Sequence, residues 1–175
     1  MAKAGARRRE GVRRYQKSGA IVRADRGERP DKIIAVALAQ PHRRGNQSPM
    51  AGYAFGRLFL GGMIDQRQFD AAETFTRRAV RYHAVITNSL PRFPSLAAEM
   101  VASSTGSGAD LDDETIGRIR SDYGELQDAL ADAGMHYDGN AVLMRVCVMD
   151  RDIEGHAAMG VFRCALNVVA NRLRL

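Results

Sequence analysis

Phe69, Ala72, Phe75, Ala79, Tyr82 and Ile86 recur at intervals of 3, 3, 4, 3 and 4. An α-helix brings positions so spaced onto one face, so about five helical turns must lie against an apolar neighbour. Asp65 precedes the stripe as an N-cap, and Gln68 completes a capping-box pattern. A second stripe, Ile116, Ile119, Tyr123, Leu126 and Leu130, repeats at 3, 4, 3 and 4. Asp112 caps it, Leu111 and Ile116 are placed for a hydrophobic staple, and Asp113 and Glu114 fill the first turn, where the helix dipole favours acids. Gly134 ends it.

Between and beyond these anchors the pattern stays helical. Phe55, Leu58 and Phe59 mark a short helix over residues 51–61, stopped by Gly61-Gly62. Residues 140–149 are nearly all apolar around Arg145 and read as a buried helix. After a turn at residues 150–155, Met159, Phe162, Ala165, Leu166, Val169 and Leu173 give a closing helix over residues 156–173. Trp is absent and aromatics are 6% of the 175 residues, so the core is built from Ala, Val, Leu, Ile and Met. That supply suits helices better than a β-sandwich. The expected fold is all-α: a bundle of four to five helices with a helix-turn-helix-like N-terminal hairpin, preceded by a disordered basic arm.

The arm occupies residues 1–44, which hold 13 Lys/Arg against 4 Asp/Glu, while residues 45–175 hold 13 against 16. The formal charge of +6 therefore belongs to one end. Residues 1–32 have no apolar periodicity, so they cannot bury enough surface to offset the entropy of ordering. Residues 33–39 are a short apolar run that fits either a strand or a helical turn. Residues 42–49 read as a linker, and the helical domain is expected over residues 50–175. It divides into a hairpin (50–90), a linker (91–110) and a three-helix part (111–175). Within the linker, residues 95–102 could make two helical turns and residues 103–109 are flexible by composition.

Cys147 and Cys164 sit in apolar runs with no metal-ligand spacing and read as buried free thiols, with an interhelix disulfide as the minority alternative. No apolar run is long enough to span a bilayer, and a cytoplasmic, soluble protein is expected. His42, His83, His136 and His156 are scattered, and no phosphate loop is present. The acidic run 110–114 is explained by its cap and dipole role, and Asp150 and Asp152 by local turn hydrogen bonds. No catalytic, metal or cofactor pattern emerges.

Two features point toward double-stranded DNA. The arm is rich in arginine, whose fork suits bidentate phosphate contacts. Its candidate DNA-binding residues are Arg7, Arg8, Arg9, Arg13, Arg14, Lys17, Arg43 and Arg44. The second feature is the hairpin, whose longer helix would present Gln66, Arg67, Arg77, Arg78 and Arg81. A plain helical hairpin with a solvated arginine face is an equal reading.

Several phrases carry a resemblance. They are Ala39-Gln40-Pro41-His42-Arg43-Arg44, the run 56–64 followed by Gln68-Phe69-Asp70-Ala71-Ala72, Val146-Cys147-Val148-Met149-Asp150, and the run 162–170. Together they resemble small phage- and prophage-encoded proteins of alphaproteobacteria, and a domain of unknown function in regulators of phage-like gene clusters, gene transfer agents among them. The resemblance implies an all-α, DNA-associated, non-enzymatic role. The resulting expectation is a DNA-binding regulator acting in transcription. The alternatives are an adaptor docking on RNA polymerase or another regulator, and a phage DNA-packaging or assembly subunit. The adaptor docks through the exposed part of the 116–130 stripe, and a homodimer through this helix is its natural form; a stripe this short is more often intramolecular core than a partner seam.

Overall fold

A computed structural model of the chain describes residues 14–15, 21–22, 35–36, 38–43, 45–87 and 111–175. It separates into two units, residues 1–40 and 41–175. In the first, β1 (Arg14–Tyr15) pairs antiparallel with β2 (Ile21–Val22), Arg14 opposite Val22 and Tyr15 opposite Ile21. The arm, expected to lack regular structure, thus holds one minimal ladder. Ala35, Val36 and Leu38 are helical, and the Ala39 N–H reaches the Ala35 carbonyl at 3.0 Å. Of the two readings of residues 33–39, the described positions take the helical one. The expected linker 91–110 lies outside the described residues.

The second unit is an all-α bundle, as its stripes require. After two 3-10 turns, Pro41–Arg43 and Pro49–Gly52, come α1 (Ala54–Leu60), α2 (Gln66–Val85), α3 (Asp113–Asp132), α4 (Asp138–Leu143) and α5 (His156–Leu173). The residues expected to form a linker at 42–49 include parts of both 3-10 turns. α4 runs directly into a π turn, Met144–Val148, in which the Met149 N–H bonds the Met144 carbonyl at 2.9 Å. The buried helix expected over residues 140–149 is therefore half α and half π.

The helix ends follow the sequence signals. Asp65 and Gln68 form the full capping box: the Gln68 N–H reaches Asp65 Oδ1 at 2.8 Å and the Asp65 N–H reaches Gln68 Oε1 at 3.2 Å. Asp112 Oδ1 accepts the Thr115 N–H at 3.0 Å. Both α1 and α3 close in Schellman motifs. Gly62 sits at φ 67° and Gly134 at φ 68°, with the Met63 N–H on the Leu58 carbonyl (2.9 Å) and the Met135 N–H on the Leu130 carbonyl (2.7 Å). α5 uses the same closure with Arg174 at φ 57° in the glycine position.

α2 is the central helix and packs against α1, α3, α5 and the π turn. Phe69, Ala72, Phe75, Ala79 and Val80 from α2 meet Tyr123, Leu126 and Leu130 from α3, Val146 and Val148 from the π turn, and Phe162, Leu166 and Val169 from α5. The small residues Ala71, Ala72 and Ala79 let its neighbours approach closely. Gly56 does the same for α1: a Cβ there would lie 2.0 Å from the Met50 carbonyl oxygen and 2.6 Å from the Tyr53 ring. Polar ties reinforce the packing. Gln68, itself buried, donates to Asn167 of α5 at 2.9 Å, and the buried Thr76 hydroxyl donates to the Ala72 carbonyl at 2.7 Å and lies 3.4 Å from the Cys147 carbonyl of the π turn.

Candidate nucleic-acid interface

The structure sorts the arginines of α2 into two groups. Arg78 is half-buried; its Nη1 donates to the Asp122 carbonyl of α3 at 2.8 Å and pairs with Glu125 Oε2 at 3.1 Å. The other oxygen of Glu125 pairs with Arg172 Nε of α5 at 3.0 Å. Glu125 is thus a junction that joins the three long helices. Arg67 is exposed, but its Nε donates to the Leu175 carbonyl at 2.9 Å and its Nη2 to Asn171 Oδ1. The shared azimuth of Arg67 and Arg78 is the edge along which α2 meets its neighbours, so both act within the fold.

Arg77 and Arg81 lie on the solvent face of α2, one turn apart. Gln66 shares that face but donates to Asp70 Oδ1 at 2.7 Å. Asp70 and Glu73 occupy the same side toward the helix N-terminus. A recognition helix contacts bases through its N-terminal residues, and here that end carries acids, which phosphates repel. Half the circumference of α2 is also buried in the bundle. The hairpin of α1 and α2 packs into the core, and on α2 Arg77 and Arg81 face open solvent.

In the arm, Arg14 is the first residue of β1. Arg7, Arg8, Arg9, Arg13, Lys17 and Arg44 lie outside the described residues. Arg43 is half-buried and folds back on its own loop, with Nη1 donating to the Ser48 carbonyl at 3.2 Å. Its Nε is sequestered from solvent without an acceptor among the described residues.

Other titratable groups take structural positions. His83 rests edge-on against the Tyr82 and Tyr123 rings, and burial lowers its pKa below the ordinary imidazole value. Burial pushes Tyr123 up to about 12. Cys147 is buried and its thiol is raised by desolvation, whereas Cys164 is exposed on α5. The expectation of two buried thiols holds for Cys147 alone; Cys164 projects from the face of α5 opposite Phe162, Leu166 and Val169. Both are free. Among the described residues, no group of three His, Cys, Asp or Glu side chains could hold a metal ion, and no helix is long and apolar enough to cross a membrane.

Asp150 and Asp152, expected to serve local turn hydrogen bonds, instead reach α1. Asp150 accepts the Ala54 N–H at the start of α1, and Asp152 pairs with Arg57 at 2.8 Å. Asp150 itself adopts φ 52°. Burial raises its pKa; the Ala54 N–H and the charges of Arg57 and His42 partly offset this. About 95 residues separate each pair along the chain, a distance no local pattern reveals. In the second stripe, Ile119, Tyr123, Leu126 and Leu130 are buried inside the bundle, as intramolecular core.

No family model, no curated protein and no solved structure matches this chain.

Proposed function

We propose that the chain is a non-enzymatic DNA-binding protein whose basic arm supplies affinity and whose helical body carries a regulatory role, in the phage or prophage setting suggested by its sequence phrases. One observation carries this reading. Residues 1–44 hold 13 Lys/Arg and 4 acids, on a chain whose remaining residues carry more acids than bases. Such an arm displaces condensed counterions from duplex DNA without needing a shaped site. Arg77 and Arg81 are the residues on α2 placed to add phosphate contacts from the body. The other candidates on α2, together with Arg43, have intramolecular partners and are set aside.

The test is fluorescence anisotropy with duplex DNA across a salt series. It compares the unaltered chain with a variant carrying Gln at Arg7, Arg8, Arg9, Arg13, Arg14 and Lys17. If ~6 phosphates are neutralised, log K falls with log salt at a slope of about −5, and the variant loses most of that slope. Replacing Arg77 and Arg81 with Gln reduces the slope by about 1–2. Salt-insensitive binding, or no binding at ~100 mM salt where arm contacts of this number should still act, overturns the reading.

A further inference from the structure

A cleft of 530 Å³ opens between the 3-10 turns, α1 and the loop after the π turn. Its volume falls within the range usual for small-molecule sites. Its lining mixes apolar side chains, Leu58, Leu60 and Ile153 among them, with polar ones that include Arg43, Asn46, Arg57 and Asp152. Leu60 is 42% exposed at the rim.

Two guanidinium groups stand in that lining. The buried Arg43 Nε–H has no acceptor among the described residues. Nε itself is closed to solvent, so Arg43 offers a bound ligand the delocalised charge of its guanidinium rather than that donor. Arg57 is well positioned: its side chain is 19% exposed, with Nη1 3.4 Å from the Ala51 carbonyl and Nη2 on Asp152 Oδ1. Asp152, by contrast, is 73% exposed and stands in a loop. An ion pair with so wet a partner contributes little net stability, so exchanging that carboxylate for another anion costs little. Asp150 cannot play the same part, because its carboxylate already caps α1.

We propose that this cleft binds a small organic anion, a carboxylate or phosphate monoester with an apolar portion. The anionic head pairs with Arg57 in the field of the neighbouring Arg43 guanidinium, displacing Asp152 from Arg57. The apolar portion lies along Leu58, Leu60 and Ile153. The site is independent of the DNA reading: Arg43, the one arm candidate it uses, is set aside from that reading, and it uses neither Arg77 nor Arg81.

The experiment is an amide chemical-shift titration of the full chain. Two probes carry both features, hexanoate and phenyl phosphate, and their comparison separates a carboxylate from a phosphate head. Inorganic phosphate and hexanol each carry one feature. The expected result is saturable shifts at Arg57, Leu60 and Ile153 with at least one two-feature probe, and weaker or absent shifts with both one-feature probes. Asp152→Asn, which removes the competing carboxylate, tightens binding by about five-fold, the scale set by an exposed ion pair. Arg57→Gln weakens it by at least that factor. Asp152→Asn keeps the loop's shape and touches no core residue, so it stays informative if Arg57→Gln fails to fold. Absence of saturable shifts at these residues with both two-feature probes overturns the proposal. So does a Kd unchanged or weakened by Asp152→Asn, or equal affinity for inorganic phosphate and phenyl phosphate.

Discussion

The carboxylate of Asp150 accepts the backbone N–H of Ala54, so a loop that follows the π turn supplies the cap that α1 cannot supply itself. The residue at the cap position of α1 is Tyr53, whose side chain makes no cap hydrogen bond. Because burial raises the folded pKa of Asp150 above its ordinary value, the folded state holds that proton more tightly than the unfolded one. The contribution of this group is therefore largest in acid and falls as pH rises through the interval between the two values. Asp150→Asn keeps an acceptor for Ala54, removes the buried charge and suits the left-handed backbone at φ 52°. It is expected to raise stability at pH 7 and to flatten the mildly acidic limb of the stability profile. Asp150→Ala loses the cap and adds left-handed strain, costing about 2 kcal/mol. Urea melts of the three proteins from pH 4 to pH 8 check both.

Glycines give an opposed pair. A Cβ at Gly124 on α3 meets open space, so Gly124→Ala is expected to stabilise by about 0.5–1 kcal/mol through helix propensity alone. Gly56→Ala drives a methyl into the Met50 carbonyl and the Tyr53 ring, and is expected to cost at least 2–3 kcal/mol, roughly the overpacking range. Thermal melts of the two variants should shift in opposite directions.

Glu125 joins Arg78 and Arg172, and Leu126 beside it is fully buried. Glu125→Gln is expected to cost about 1 kcal/mol, less at high salt, because both ion pairs are partly exposed. Leu126→Ala is expected to cost about 3–5 kcal/mol at any salt. Denaturant melts at low and high ionic strength separate the two behaviours.

The helix inventory was legible because stripes and caps are local: Asp65 with Gln68, and Asp112 before its helix, stand where the sequence places them. The site residues were less so. Arg67, Arg77, Arg78 and Arg81 look alike in sequence, and only the identity of the neighbours separates struts from solvent-facing charges. Arg78 finds Glu125 across an interhelix contact, and Arg67 finds the end of α5, neither of which periodicity encodes. The π turn was also hidden, since one extra residue per turn leaves an apolar run apolar.

The cysteines supply a direct chemical check. Cys147 is buried with its thiol raised by desolvation, while Cys164 is exposed. A thiol reagent at pH 8 is expected to modify Cys164 alone in the native protein and both residues in denaturant. Mass spectrometry of the labelled peptides reads the outcome, and native labelling of Cys147 would show the π turn opening on the timescale of the reaction.

Gln68 closes the capping box of α2 and also donates to Asn167, while Arg67 beside it reaches Asn171 and Leu175. The first turn of the central helix is therefore completed by the last helix. During synthesis, residues 65–68 leave the ribosome about a hundred residues ahead of the partners that hold them. Until α5 arrives, α2 must wait with Phe69 and Phe75 uncovered on that side, so the bundle closes late and as a unit rather than growing from its N-terminus.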